Sequence, residues 1–138
     1  MQISLEKVDK NAIQAYSESE IKVNDTTYTS SLIVSQSEIM THWPVHDILE
    51  LNETLLNPVI ELQPEVIIVG HHSSGYHPPV AVLQLLAKQR VGFEFMTVGA
   101  ACRTYNVLLS EQRRVALGLI LPSQNGDTPC NLSTTDKT

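Results

Sequence analysis

Short stretches of alternating apolar and polar residues follow one another in the first third of the chain. Such alternation is typical of half-buried strands. The predicted strands are Ile3–Val8, Ile13–Tyr16, Ile21–Val23 and Tyr28–Val34. Asn24 and Asp25 tolerate turn geometry, so they predict that the last two strands form a hairpin. Residues 35–47 have no clear period and predict a long connection. A short helix is predicted over 48–56, closed by Asn57 and Pro58.

The pattern changes after residue 64, where apolar runs alternate with helical periodicity. The run Val66–Val69, which ends at Gly70, is typical of a strand buried on both faces. The elements predicted after it are a helix over 80–90, a strand over 93–96, a helix over 100–114 and a strand over 115–121. This strand–helix order predicts right-handed crossovers and parallel pairing. The fold class is therefore α/β, with a βαβαβ second half.

The length of 138 residues fits one domain, which we place at residues 1–121. Residues 122–138 are polar without an apolar period and predict a disordered tail. The sequence contains no apolar run of membrane-spanning length and begins without a secretory signal pattern. Two cysteines argue against a disulfide framework, so we expect a soluble cytoplasmic protein that does not insert into membranes.

The charge is uneven along the chain. Its net value of −6 makes nucleic acid an unexpected partner, because nucleic-acid binding needs a basic surface. Residues 1–64 hold three basic and ten acidic side chains, whereas residues 88–114 hold five basic and two acidic ones. If the basic segment forms a binding surface, an anionic or acidic partner is expected there.

The loop that follows the buried strand is the first candidate site. Open α/β sheets bind ligands beyond the carboxyl ends of their strands, so Gly70, His71 and Ser73 are candidate binding residues for an anion. The glycine spacing matches neither a dinucleotide fingerprint nor a P-loop, and Pro78 and Pro79 remove two amide donors. An ordinary turn is the alternative reading.

Five histidines raise the question of a metal site, but their spacing does not support one. His42 and His46 are four residues apart with Pro44 between them, which disfavours the helix that this spacing would need. No His-Glu-x-x-His motif is present. We therefore expect loop histidines, no metal and no cofactor.

The second predicted helix contributes three more candidates. Cys102 follows the start of the helix beside Arg103, which favours a thiolate, although a small buried side chain is the alternative. Arg103 and Asn106 lie one turn apart and are candidates for binding a carboxylate or phosphate, or for surface and capping roles.

The run Gly92–Met96, followed by Ala-Cys-Arg-Thr-Tyr-Asn at residues 101–106, resembles an uncharacterised prokaryotic family. A eukaryotic relative of this family is the mitochondrial NADH dehydrogenase (complex I) assembly factor 3. The family usually follows its strand Met with Asp-Thr, whereas Met96 is followed by Thr97 and Val98 here. The resemblance implies one compact domain of more than one sheet, helices packed on one side, and a role in assembly through protein contacts.

Two functions follow from these observations. The first is a non-enzymatic protein that binds another protein through Arg103, Asn106 and the loop 70–77, with a homodimer as a further alternative. The second is an enzyme or small-molecule-binding protein that uses the same crevice for a small anionic ligand. An enzyme requires Arg103, Asn106 and at least one His or Cys102 to converge in a pocket.

Overall fold

Two β-sheets and three helices make up the computed structural model, which describes residues 10–73 and 75–122. The small sheet is antiparallel and contains β1 (Ile13–Tyr16), β2 (Ile21–Val23) and β3 (Thr26–Tyr28). The main sheet contains β4 (Leu32–Ser35), β5 (Ile39–Thr41), β6 (Val66–His71), β7 (Gly92–Thr97) and β8 (Val115–Leu119). The helices are α1 (Glu53–Ile60), α2 (Val80–Lys88) and α3 (Val98–Ser110).

The second half has the predicted βαβαβ order. The main sheet runs β5-β4-β8-β6-β7, in which β6 pairs in parallel with both β7 and β8, and β4 pairs antiparallel with β5 and β8. Mixed pairing within one domain confirms the α/β class. The predicted strand over 3–8 lies outside the described residues, as does the predicted tail beyond Pro122.

The helices lie on both faces of the main sheet, which corrects the expectation that they share one side. One core cluster joins α3 and the small sheet to one face, and a second joins α1 and α2 to the other. The strand order explains this arrangement, because the chain moves from β6 to β7 on one side and then crosses to β8 on the other. Two right-handed crossovers in opposite directions place their helices on opposite faces.

The predicted strand Tyr28–Val34 is divided between the two sheets. Asn24 and Asp25 both have positive φ (51° and 67°), so they close a two-residue turn and Thr26 already begins β3. The chain then leaves the small sheet, and β4 begins at Leu32. Ser31 fixes this break, since its buried hydroxyl donates to the Val45 carbonyl (2.6 Å) and accepts from the Leu121 amide (2.9 Å).

Two predictions for residues 35–61 also need correction. The predicted long connection contains β5, whose three residues are too few to display a period. The predicted helix over 48–56 is a short 3-10 turn, Ile48–Glu50, followed by α1. Asn52 caps α1 by accepting from the Leu55 amide (2.9 Å), and Pro58 stands inside the helix instead of closing it. A proline there forgoes one hydrogen bond, which the buried Leu56 and Val59 offset through packing.

Candidate functional site

The carboxyl ends of β6 and β7 form the point at which the sheet changes its direction of winding. The chain leaves β6 toward α2 on one face and leaves β7 toward α3 on the other, while His71 and Thr97 are paired at the strand ends. Ligands of open α/β sheets bind at such a switch point. A cleft of about 610 Å³ lies here, lined by Tyr16, Ser17, Glu18, His71, His72, Thr97, Val98, Gly99 and Pro122.

His71 ends β6 and is nearly buried, with 8% of its surface exposed. Its Nδ1 accepts a hydrogen bond from the Ser73 amide (3.2 Å), so this nitrogen carries no proton. Burial lowers the pKa of His71, neighbouring His72 and His77 lower it further, and Asp47 opposes them. His71 is therefore a neutral imidazole that shapes the start of the loop.

The loop after β6 contacts the segment that precedes α1. His72 Nε2 lies 3.3 Å from the His46 carbonyl oxygen, and the Ser73 hydroxyl donates to Asp47 Oδ2 (3.4 Å). Asp47 Oδ1 also accepts from the Leu49 amide (2.9 Å) and so caps the 3-10 turn. The loop after β6 is thus joined to the segment before α1 through the side chains of His72 and Ser73. Their partners are the His46 carbonyl and the Asp47 side chain that caps the 3-10 turn.

Large apolar side chains are exposed on these two joined segments. Leu49 is 53% exposed, Tyr76 58% and Val80 66%, and we call these three residues the edge patch. Tyr16, in the adjoining cleft, is 41% exposed. The remaining large apolar residue exposed in the described part of the chain is Val107, on α3. Exposed apolar side chains are therefore concentrated at the carboxyl edge.

Asn106 has a different role from the one its position suggested. Its Oδ1 accepts from the Ile13 amide (2.9 Å) and its Nδ2 donates to the Ile13 carbonyl (2.9 Å). One residue earlier, the buried Tyr105 hydroxyl donates to the Asn11 carbonyl (2.8 Å). These three bonds attach the first strand of the small sheet to α3, so the amide of Asn106 is engaged by backbone.

Arg103 extends the same attachment to the rim of the cleft. Its Nη1 donates to the Tyr16 hydroxyl (2.7 Å), and its guanidinium lies 6.0 Å from the centre of the Tyr16 ring. Gly99 makes room for this pair, because a Cβ there would lie 3.1 Å from the Tyr16 ring. Arg103 thereby positions the aromatic side of the cleft.

Cys102 is fully buried against the main sheet. Burial raises the pKa of its thiol to about 12, against a smaller lowering by the Arg103 charge. A thiol with this pKa is protonated at neutral pH and is a poor nucleophile. Cys102 acts as a small apolar side chain in this position.

Gly70 allows α3 to approach β6 closely. A Cβ on Gly70 would lie 2.7 Å from the Ala101 Cβ and 3.1 Å from the Val98 Cα. The strand's final glycine therefore sets the height of the α3 N-terminus above the sheet, and with it the floor of the cleft.

The structure brings some of the predicted site residues together and separates others. Gly70, His71 and Ser73 lie at the carboxyl edge, whereas Cys102 and Asn106 point into the contacts between α3 and its neighbours. Sequence reasoning missed Tyr16 and Leu49, whose places depend on contacts between distant segments, and it did not single out Tyr76 within the loop 70–77. In the described ranges, no three His, Cys, Asp or Glu side chains are grouped closely enough to hold a metal ion.

The basic segment 88–114 does not gather at this edge. Arg113 and Arg114 lie between α3 and β8, at the amino edge of the sheet. Glu65 Oε1 accepts from the Arg114 amide (3.1 Å) and from Arg113 Nε (3.1 Å), and these bonds lower the pKa of Glu65. The cation of Arg113 is therefore partnered away from the candidate loop.

The fold and the site define an α/β domain with a cleft at its switch point, a structural signature on α3 and an apolar carboxyl edge. Residues 13–120 match the family described as "Protein of unknown function (DUF498/DUF598)", and the chain belongs to that family. None of the helices described is long and apolar enough to cross a membrane.

The chain is similar to three proteins that carry names or solved structures. An NMR structure of a Xanthomonas campestris protein shares 34% identity and a TM-score of 0.78, covering 95% of this chain and 100% of its own. The "13 kDa major membrane protein" of Francisella tularensis is 28% identical, over 71% of this chain and 80% of its own. The "NADH dehydrogenase [ubiquinone] 1 alpha subcomplex assembly factor 3" of Drosophila melanogaster is 27% identical over 72% of this chain, which spans about half of that protein (52%).

Proposed function

We propose that this protein is a non-enzymatic binding domain that contacts another protein through the edge patch. The observation that carries the proposal is the exposure of Leu49, Tyr76 and Val80 on two segments joined by hydrogen bonds. Apolar side chains grouped at a surface mark interaction sites, because their burial by a partner removes them from water.

The state of the chemically capable residues supports binding over catalysis. Catalysis in the predicted crevice requires Arg103, Asn106 and either Cys102 or a histidine to converge on one reacting atom. Asn106 is engaged by the backbone of Ile13, and Cys102 is a buried neutral thiol. These contacts leave the group without a reactive thiol or a free amide.

The relatives are compatible with a role in assembly. The Drosophila relative carries assembly factor in its name, and we propose an assembly-type role for this domain by analogy. We also propose a cytoplasmic location, on the composition of the sequence. Fractionation of native cells with an antibody to the chain tests that location, and recovery in the membrane fraction contradicts it.

Quantitative affinity capture from native cells tests the binding proposal. The decisive variant is Val80→Ser, which removes apolar surface from the first residue of α2. The matched control is Val107→Ser, the same change at a residue that is 54% exposed in α3. We expect one protein captured by the wild type to be lost with Val80→Ser and retained with Val107→Ser. Equal capture by both variants overturns the proposal.

A small-molecule ligand is a second candidate function, favoured by the cleft. Its volume of about 610 Å³ falls in the range of ligand pockets, and it lies at the switch point of the sheet. Native mass spectrometry of protein purified from its own organism tests this candidate. A small anionic molecule that copurifies with the wild type and is lost with Gly99→Val, a change that fills the floor of the cleft, supports it. Its retention by Gly99→Val contradicts it.

A further inference from the structure

The segment that carries Leu49 of the edge patch is acidic. Asp47 and Glu50 flank Leu49, and Glu53 begins α1 immediately afterwards. Neither residues 42–53 nor residues 71–80 contain a Lys or an Arg. The first cation along α2 is Lys88, eight residues after Val80 and about 12 Å away at 1.5 Å per residue.

Among the described residues, no Lys or Arg forms an ion pair with the carboxylates of Asp47 and Glu50. Asp47 accepts from the Leu49 amide and the Ser73 hydroxyl, and Glu50 Oε1 accepts from the His46 amide (2.8 Å). His46 Nδ1 lies 3.9 Å from the same Glu50 oxygen, and both side chains are largely exposed. At the amino edge, by contrast, Glu65 is paired with Arg113.

We infer that the partner of the edge patch presents apolar side chains flanked by Lys or Arg, as on a basic amphipathic segment. This inference rests on the proposed function and names the chemistry of its partner. Apolar contact with Leu49, Tyr76 and Val80 supplies affinity, and the surrounding carboxylates select a basic partner and speed its association.

The same charges disfavour the other occupants. A two-fold dimer through this surface would bring each edge patch against its own copy. The acidic segment of each copy, with Asp47, Glu50 and Glu53, would then lie in the same interface, and like charges brought together oppose association. Anionic lipid and nucleic-acid surfaces meet the same repulsion. A basic segment is therefore the occupant that the charge pattern favours.

The probe for this inference is a synthetic Leu/Lys amphipathic peptide, compared with a Leu/Glu peptide of equal length. Amide signals of the isotopically labelled protein are followed by NMR during titration with each peptide. We expect the Leu/Lys peptide to shift signals from residues 46–53 and 75–80, with binding that weakens as salt is raised. No binding of the Leu/Lys peptide, or equal binding of the Leu/Glu peptide, overturns the inference.

Matched amide variants separate local charge from the overall charge of the protein. Glu50→Gln/Glu53→Gln removes two charges beside the edge patch, whereas Glu38→Gln/Glu94→Gln removes two exposed charges elsewhere. We expect the first pair to weaken binding of the Leu/Lys peptide about threefold to tenfold, and the second pair to leave it nearly unchanged. Equal weakening by both pairs overturns the inference.

The protein captured from native cells distinguishes failure of the inference from failure of the proposed function. Loss of that protein with Val80→Ser, but not with Glu50→Gln/Glu53→Gln, preserves the proposed function and overturns the basic partner. Retention of the captured protein with all of these variants overturns both the proposed function and the basic partner. Loss of that protein with Val80→Ser and with Glu50→Gln/Glu53→Gln supports both the proposed function and the basic partner.

Discussion

Helix α3 and the carboxyl-edge loops both carry polar side chains, but the side chains of α3 are engaged within the fold while those of the loops are open to solvent. On α3, the polar groups of Tyr105 and Asn106 form hydrogen bonds with the backbone at the first strand, and Cys102 is buried. At the edge, Tyr76 and Val80 are more than half exposed. The most recognisable block of the sequence is therefore a structural attachment, while the surface available to a partner lies in loops with no motif.

This contrast shows why a recognisable block is an uncertain guide to function. The α3 block needs particular side chains because an amide and a phenol must reach backbone groups more than ninety residues earlier. An apolar binding surface needs only exposure and approximate shape, which many sequences supply. Independent measurements of stability and of binding therefore separate the two regions.

The largest effect is expected from Asn106→Ala. This change removes both bonds to Ile13 and leaves a partly buried amide and carbonyl without partners. We expect the free energy of unfolding to fall by about 2–4 kcal/mol, at about 1–2 kcal/mol for each bond. Urea unfolding followed by circular dichroism measures the loss.

Asn57→Ala is the control for that experiment, because the Asn57 side chain is exposed and its amide donates to the exposed Glu61 carboxylate one turn away. We expect it to change the free energy of unfolding by less than about 0.5 kcal/mol. Equal effects of the two substitutions would contradict the structural role of Asn106.

Gly70→Ala is expected to have the next largest effect. The added methyl would contact Ala101 and the backbone of Val98, so α3 must move away from β6. We expect a loss of about 1–3 kcal/mol in the free energy of unfolding, typical of an overpacked core. Gly92→Ala is the control, since its Cβ would meet neighbours at ordinary distances of 3.5–3.6 Å. A neutral Gly70→Ala would refute the close approach.

The smallest effect is expected from the pH dependence set by His71. Its pKa is lowered in the folded protein, so the unfolded chain binds the proton more tightly. The contribution of neutral His71 to the free energy of unfolding is therefore fully present above the unfolded pKa, near 6.5. It is lost as the pH falls through the folded pKa. We expect the unfolding midpoint to drop more between about pH 7.5 and about pH 5.5 in the wild type than in His71→Asn.

Asparagine suits that test because its side-chain oxygen can still accept from the Ser73 amide, as Nδ1 does. His42→Asn is the control, at an exposed residue whose positive φ (58°) asparagine tolerates. Identical pH profiles for the wild type and His71→Asn would rule out a contribution from His71.

Periodicity predicted the second half well, because its strands and helices are long enough to show their period. It could not divide Tyr28–Val34 between two sheets or find β5, since three-residue strands show almost no pattern. The faces occupied by α2 and α3 follow from the β7-β6-β8 order, which local sequence does not contain.

The site was only partly predictable, for a related reason. Gly70, His71 and Ser73 follow a strand end, and the general behaviour of α/β sheets locates such residues. The edge patch requires residues 46–50 to contact the loop that follows β6. The engagement of Asn106 by Ile13 likewise depends on tertiary contact.

The most direct test of the account compares partner capture with stability in two variants, Tyr76→Ser/Val80→Ser and Asn106→Ala. Both are assayed well below their unfolding midpoints, against the partner captured by the wild type. We expect the edge variant to lose the partner at nearly wild-type stability, and Asn106→Ala to keep the partner at reduced stability. The reverse pattern, with capture lost in folded Asn106→Ala and retained by the edge variant, would contradict it.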